Sequence, residues 1–264
     1  VKAQGGKETN DIIKSIPFTV KNNGGGDPAK LVINEIQVSN LDMFLDKSNN
    51  YGGYIELYNP TDKSISFDGF SVSDDPTNPW KSWIGRLNVP TYGFTTIFFD
   101  HNNGESGNYN GNVNFKLDMD GGTIGIYRDG QQIASETYPA ASSRTSYART
   151  TDGGSTWGVT AYPTPGASNA GSKEILDVKA GRVAAPEATA TGFYAMSGFK
   201  PTITGEGTIY CTIDGTVPTE ANGILADELP VLNGTTVLRI RAFEQGKLPS
   251  PVVTRTYIQQ QYNH

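Results

Sequence analysis

Apolar and polar residues alternate in two short segments near the start of the chain. Leu31–Ile36 reads Leu-Val-Ile-Asn-Glu-Ile, and Tyr54–Pro60 reads Tyr-Ile-Glu-Leu-Tyr-Asn-Pro. This period of two residues is typical of a half-buried β-strand, so Ile55 and Leu57 are expected to face a core. The side chains around them are expected to face outward or sideways: Tyr54, Glu56 and Tyr58. The pattern therefore predicts a β-sheet scaffold.

Strand-like segments then recur at short intervals up to about residue 169. The predicted strands are Leu31–Val38, Tyr54–Tyr58, Ser64–Val72, Phe94–Phe99, Val113–Leu117 and Thr123–Tyr127. After the last of these, Asp129 and Gly130 supply the positive φ angles that a two-residue hairpin turn requires. Gln131–Thr137 is therefore predicted to return as the partner strand.

A second strand-rich region runs from about Val183 to Tyr257. Its predicted strands are Gly207–Ile213, Leu229–Leu232 and Thr235–Phe243. Asn233 and Gly234 stand between the last two, and an Asn-Gly pair between apolar runs predicts a tight hairpin. About 75 residues of this kind suit a small β-sandwich.

Between the two regions, residues 162–172 concentrate proline, glycine and serine, where no strand can continue. We therefore predict an all-β protein with two β-sandwich domains. The predicted division is an N-terminal arm at 1–29, a first domain at 30–170, a linker at 171–182, a second domain at 183–258 and a joint at 259–264.

Composition excludes several functions. The net charge of −6 and a pI near 5.0 argue against nucleic-acid binding, which needs clustered lysine and arginine. No apolar run is long enough to span a bilayer, and the chain opens without an initiator methionine or a signal peptide. The single cysteine, Cys211, excludes an intramolecular disulfide and a zinc site built on several thiolates, and is expected to be a buried thiol.

One loop after a predicted strand combines carboxylates, prolines and aromatic residues. Asp74 and Asp75 are followed by Trp80 and then by Trp83. Loops of this kind on a rigid sheet often bind ligands, and a tryptophan beside carboxylates can stack on a sugar ring or receive a peptide. In the alternative interpretation, the two aspartates close the turn by binding backbone amides, and one indole plugs the end of the sandwich.

Two further candidates are less typical of a site. His101, in the polar segment Asp100–Glu105, is the only histidine before the terminal His264, and we add it to the candidate binding loop. Asp118 and Asp120 precede two glycines, an arrangement that favours either a calcium-binding turn or an ordinary solvated turn. The spacing does not continue as a calcium loop, so no metal or other cofactor is predicted.

The ordered motifs of residues 31–169 resemble a bacterial lamin-tail domain. They are Val32–Ile36, Tyr54–Asn59, the Ser73–Pro76 loop, Asn114–Leu117, Gly122–Tyr127, Ser146–Arg149 and Thr164–Asn169. The resemblance implies an immunoglobulin-like β-sandwich. It also implies that Glu35 and Glu56 belong to the scaffold and are not a catalytic pair.

Residues of about 183–258 resemble the fibronectin-type-III-like modules associated with chitobiase C-termini. The matching segments are Ile209–Thr219, Val237–Phe243 and Leu248–Val253. In bacterial surface proteins this order of modules often precedes a kinase-like domain resembling spore coat protein H. The resemblance therefore implies a downstream kinase-like domain in the same parent chain, joined through Gln259–His264.

These expectations combine into one functional hypothesis and two alternatives. The chain is expected to be a non-catalytic, extracellular or cell-surface segment that contacts a protein, a glycan or another envelope component. Fold analogy supplies this class, whereas the sequence does not supply the ligand. One alternative is a metal-assisted hydrolase or transferase built from Asp118, Asp120 and His101. The other is a pure structural spacer.

Overall fold

The computed structural model describes residues 25–46, 49–99, 112–194 and 198–260. These ranges contain many short strands and only short 3-10 helices, at Pro28–Lys30, Asn169–Gly171 and Ala226–Glu228. The all-β prediction is confirmed. Most of the predicted N-terminal arm, and the end of the predicted joint, lie outside the described residues.

The first part of the chain builds two antiparallel sheets. The five-stranded sheet has the order β5-β2-β1-β8-β9. Its strands are β1 Val32–Gln37, β2 Gly53–Tyr58, β5 Phe94–Phe99, β8 Ser146–Arg149 and β9 Trp157–Thr160. The four-stranded sheet has the order β4-β3-β6-β7. Its strands are β3 Ile65–Ser73, β4 Ser82–Val89, β6 Gly122–Arg128 and β7 Gln131–Tyr138.

The two sheets share one hydrophobic core, as expected for a sandwich. Ile33, Ile55 and Leu57 from the first sheet and Phe70 and Ile124 from the second are completely buried in it. Burying a side chain of this size contributes about 1.5–3 kcal/mol. The prediction that Ile55 and Leu57 face the core is therefore confirmed.

The intervening residues lie on the sheet face opposite the core, as expected, but Tyr54 and Glu56 are not open to solvent. Tyr54 and Glu56 are each 0% exposed, because the sheet face opposite the core is itself covered by other parts of the chain. A period of two separates the two faces of a strand, but it does not show whether the second face meets solvent.

The second part of the chain has a separate core. A five-stranded sheet has the order β11-β16-β15-β13-β14, and a two-stranded sheet pairs β10 with β12. The strands are β10 Glu187–Ala188, β11 Gly192–Tyr194, β12 Ile203–Thr204, β13 Thr208–Thr212, β14 Ile224–Leu225, β15 Thr236–Phe243 and β16 Val253–Gln259. Leu238, Ile240 and Tyr257 form this core together with Cys211. Cys211 is completely buried, and burial raises the pKa of its thiol to about 11.

The first predicted hairpin is confirmed. Asp129 and Gly130 adopt φ angles of 48° and 77°, and Arg128 pairs directly with Gln131 across the turn. The second predicted hairpin, at Asn233 and Gly234, is wrong. Strand β15 already pairs with β13 on one side and β16 on the other, so neither edge remains for the preceding segment.

Two strand predictions also need correction, and one strand was missed. Leu229–Leu232 is not a strand, and only Leu232 forms an isolated bridge, with Phe199. Val113–Leu117 likewise keeps only a bridge, between Val113 and Phe99. Strand β4 was not predicted, because the proline-rich loop before it masks the alternation of its side chains.

Side chains join the two parts of the chain. Asp42 of the first part lies 3.6 Å from the guanidinium of Arg239 on β15, and Lys173 forms an ion pair with Glu220. Residues after the first sandwich also extend its sheet, since the amide of Leu176 donates to the carbonyl of Val159 at 2.8 Å. The division into domains at 170 and 183 stays a prediction.

Candidate binding surface

The loop between β3 and β4 is held by its own polar groups. The Asp75 carboxylate accepts hydrogen bonds from the amide and the hydroxyl of Thr77, at 2.8 and 2.7 Å. These bonds lower the pKa of Asp75. The Asp74 carboxylate pairs with the ammonium of Lys81 at 2.5 Å. Both aspartates therefore organise the loop, in keeping with their role in turns.

A serine fixes the end of this loop on the outer face of the four-stranded sheet. The Ser71 hydroxyl donates to the carbonyl of Pro79 at 2.7 Å. Ser71 also pairs across the strands with Trp83 on β4 and with Tyr127 on β6. Directly paired residues point to the same side of a sheet, so the Trp83 indole and the Pro79 carbonyl share this face. Trp80 follows Pro79 and joins them.

Both indoles remain open to solvent while resting on glycines. Trp83 is 54% exposed and Trp80 is 47% exposed. A Cβ atom at Gly85 would lie 3.1 Å from the Trp83 ring, and one at Gly130 would lie 3.2 Å from the Trp80 ring. Because glycine has no side chain, each indole can lie close to the backbone while the rest of its surface stays open to solvent. We call the surface of Trp80, Trp83, Gly85 and Gly130 the tryptophan face.

Most charges around the tryptophan face are paired. Asp68 on β3 and Arg86 on β4 approach to 3.9 Å, and Arg128 and Asp129 at the hairpin approach to 3.7 Å. The Asp74 and Lys81 pair adds no net charge either. Asp75 adds one carboxylate without an ion pair among the described residues. A surface of exposed indoles with mostly paired charges is suited to a neutral ligand with flat apolar faces, such as a sugar ring.

The predicted site residues thus separate into groups. The structure brings Asp74, Asp75, Trp80 and Trp83 into one loop and strand, with the aspartates bonded within the loop and the indoles exposed. Neither indole plugs the end of the sandwich. His101 lies outside the described residues.

Asp118 and Asp120 form a closed turn. The Asp118 carboxylate accepts the amide of Asp120 at 2.9 Å, and the Asp118 carbonyl accepts the amide of Gly121 at 3.3 Å. Among the described residues, no group of three or more histidine, cysteine, aspartate or glutamate side chains is arranged to hold a metal ion. The calcium alternative for this turn therefore gains no support.

A buried polar network was missed by the sequence interpretation. Glu35 on β1 and Glu56 on β2 are paired across the strands, opposite the core, and both are 0% exposed. Glu35 accepts hydrogen bonds from the hydroxyls of Tyr54, at 2.9 Å, and Ser146, and from the amide of Thr164. Glu56 accepts from the Asn34 amide group at 3.1 Å and from the backbone amide of Gly166 at 2.7 Å.

The segment Thr164–Asn169 covers these carboxylates and is fixed at its far end. Asp152 accepts the Asn169 amide at 2.9 Å, and the Asn169 side chain donates to the carbonyls of Asn34 and Arg149. We call this covered surface the carboxylate face. The polar motif at Thr164–Asn169 was the available signal, but nothing local in it specified a partner more than 100 residues away.

Burial shifts the acidity of the carboxylate face. Desolvation, together with the neighbouring charge of Glu35, raises the pKa of Glu56 to about 8, against the hydrogen bonds from Asn34 and Gly166. Desolvation also raises the pKa of Glu35. Such shifts are common at active sites, but these side chains have no exposed surface through which a substrate could reach them. Their geometry agrees with a role in the scaffold.

Comparisons with known proteins add a family match to the all-β class that the fold defines. The described residues form an all-β protein with separate β cores. A family model described as "Fn3 associated" matches residues 200–257, which include strands β13 to β16. Comparisons with curated proteins and with solved structures found no match. The chain thus carries an Fn3-like module toward its C-terminus, which points to a non-catalytic module of a larger protein. The lamin-tail resemblance of residues 31–169 stays a prediction.

One observation bears on membranes. Within the described ranges, no helix reaches the length and apolar character needed to cross a lipid bilayer.

Proposed function

We propose that this chain is a non-catalytic binding segment of a larger bacterial surface protein, and that the tryptophan face binds a neutral glycan outside the cell. The observation that carries the proposal is the pair of half-exposed indoles. Trp83 rests on Gly85 of β4, and Trp80 rests on Gly130 in the turn between β6 and β7. In this role the segment positions an attached domain, for which the lamin-tail resemblance suggests a downstream kinase-like domain.

The rigidity of the surface supports binding. Asp75 and Ser71 hold the loop before β4 through hydrogen bonds of 2.7 to 2.8 Å, so the Trp80 backbone is positioned before a ligand arrives. Pre-organised aromatic side chains lose little conformational entropy on binding. The paired charges of the face and the additional carboxylate of Asp75 favour a neutral glycan over an anionic one.

The test is a binding assay with insoluble chitin, cellulose and peptidoglycan. If one of these binds the intact chain, Trp80→Ala and Trp83→Ala should each weaken binding about fivefold to tenfold, because an aromatic stacking contact contributes about 1 kcal/mol. Trp157→Phe is the matched control. The Trp157 ring stacks on Tyr147 at 4.4 Å, and the Arg149 guanidinium lies over it at 4.4 Å, so both of its faces are occupied.

The outcomes separate the proposal from its alternatives. Binding that survives both alanine substitutions would place the glycan site elsewhere on the chain. Failure of the intact chain to bind any of the three polymers would favour a spacer. Retention of binding by Trp157→Phe, with loss in both alanine variants, would support the tryptophan face.

A further inference from the structure

A pocket of about 340 Å³ lies between the two parts of the chain and is lined by three arginines. Arg144 comes from the first part, and Arg182 and Arg241 come from the second. Ser142, Ser143 and Ser250 also line it, and none of its lining residues is acidic. We call it the arginine pocket. It is separate from the tryptophan face.

Arg144 has a counter-ion, which it shares. Its guanidinium forks onto the Asp42 carboxylate at 2.6 and 2.8 Å, and Arg239 approaches the same carboxylate at 3.6 Å. One carboxylate therefore already serves two guanidiniums. These neighbours hold the pKa of Asp42 below its ordinary range, so the carboxylate stays charged.

Arg182 and Arg241 form no ion pair within the described residues. Arg182 donates one bond, to the carbonyl of Pro249 at 2.7 Å, while its buried Nη2 has no hydrogen-bond partner. Arg241 is only 7% exposed and donates to the carbonyl of Ser250 at 3.1 Å. Burial, together with the nearby charge of Arg182, lowers the pKa of Arg241 to about 10.

An unpaired buried guanidinium is costly unless an anion completes it. Arg241 is buried and Arg182 is partly buried, and neither forms an ion pair within the described ranges, although the charge of Asp42 acts on Arg241 from further away. The planar forks of both guanidiniums match the oxygens of phosphate. A phosphate monoester carries a charge of about −1.5 to −2 at neutral pH. The pocket volume also lies in the range of small-ligand sites, so it has room for an organic group beside the phosphate.

We propose that the arginine pocket binds the phosphate group of a small phosphate monoester, with Arg182 and Arg241 as the direct ligands and Arg144 at the rim. The bound phosphate supplies the ion-pair partner that both guanidiniums lack within the described residues. Because the site draws residues from both parts of the chain, its ligand also holds them together.

The proposal is tested by isothermal titration calorimetry on the intact chain at constant ionic strength. The probes are glucose 6-phosphate, glucose 6-sulfate, inorganic phosphate and glucose. Glucose 6-phosphate is expected to bind about tenfold more tightly than the singly charged glucose 6-sulfate, and glucose is expected not to bind. Equal binding of the two esters would overturn the requirement for two charges. Tighter binding of inorganic phosphate than of glucose 6-phosphate would overturn the claim that the pocket accommodates an organic group beside the phosphate.

Variants assign the binding to the pocket. Arg182→Gln and Arg241→Gln should each weaken glucose 6-phosphate binding at least tenfold, whereas Arg255→Gln, on strand β16 and outside the pocket lining, should leave it unchanged. Ser143→Glu changes an exposed residue and places a carboxylate at the pocket, so it tests the site without altering a buried arginine. It should abolish binding. Unchanged affinity in Ser143→Glu, or no heat from any phosphate probe with the intact chain, would overturn the proposal.

Discussion

The first sandwich has two outer faces, one covered by other residues of the chain and one with exposed aromatic side chains. On the five-stranded sheet, the carboxylate face is completely covered by Thr164–Asn169, whose backbone amides bind Glu35 and Glu56. On the four-stranded sheet, the tryptophan face leaves both Trp80 and Trp83 about half exposed. The backbone of the chain thus covers one outer face of the sandwich, whereas large aromatic side chains on the other outer face stay exposed. That contrast supports the proposal that the tryptophan face receives a partner.

The largest expected effect comes from opening the carboxylate face. Glu35→Ala removes the acceptor shared by Tyr54, Ser146 and the Thr164 amide. Buried donors without a partner cost about 1–3 kcal/mol each, so the free energy of unfolding should fall by about 3 kcal/mol or more. Urea unfolding followed by tryptophan fluorescence measures it. The exposed substitution Asp62→Ala is the control, and an equal change in both variants would contradict the structural role.

The pH dependence of stability tests the same face. The Glu56 pKa is about 8 in the fold against 4.5 unfolded, so the folded state binds a proton that the unfolded state releases between these values. This stabilisation is complete below about pH 4.5, and it is lost as the pH rises to 8. The free energy of unfolding should fall by about 1 kcal/mol per pH unit in that window.

The matched variant for this prediction is Glu56→Gln. It removes the titrating group and should flatten the slope between pH 5 and 8 in urea unfolding. A slope equal to that of the unaltered chain would show that another group, such as Glu35, carries the pH dependence.

A smaller effect is expected on the tryptophan face from Gly85→Ala. Gly85 has a φ of +90°, and a Cβ there would lie 3.1 Å from the Trp83 ring. The backbone strain should cost about 1–2 kcal/mol, and the added methyl group should tilt the indole. Urea unfolding and a shift in tryptophan emission measure the two effects. Unchanged emission would contradict the described contact.

The smallest stability effect is expected from Trp83→Ser. An exposed side chain away from buried polar groups usually changes stability by no more than about 0.5 kcal/mol. Thermal unfolding should therefore remain nearly unchanged, in contrast to Glu35→Ala. A loss as large as that of Glu35→Ala would show that Trp83 serves the fold and would weaken its assignment to a ligand.

The parts of the structure that the sequence predicted are local ones. The Asp129-Gly130 turn follows from the φ angles its own residues require, and Ile55 and Leu57 follow from alternation within one strand. The Asn233-Gly234 turn failed because pairing of β15 with distant strands overrides a local preference. The sequence allowed Trp80 and Trp83 to be either exposed or packed into the end of the sandwich, and it did not distinguish the two.

The buried sites depended on long-range contacts. Glu35 and Glu56 are bonded to a segment more than 100 residues further along, which no periodicity reveals. The arginine pocket needs Arg144 beside Arg182 and Arg241, residues that are separated in sequence and lie in a chain with a net negative charge. Overall charge therefore gave no sign of a local positive site.

The single cysteine can be used to measure how often part of this protein opens. All three tryptophans, at positions 80, 83 and 157, belong to the first sandwich, while Cys211 is sealed in the core of the second part. A thiol-labelling reagent can modify Cys211 only during moments when that core opens. The rate of labelling therefore measures how often the core of the Fn3-like module opens. Tryptophan emission measures the unfolding of the first sandwich in the same sample.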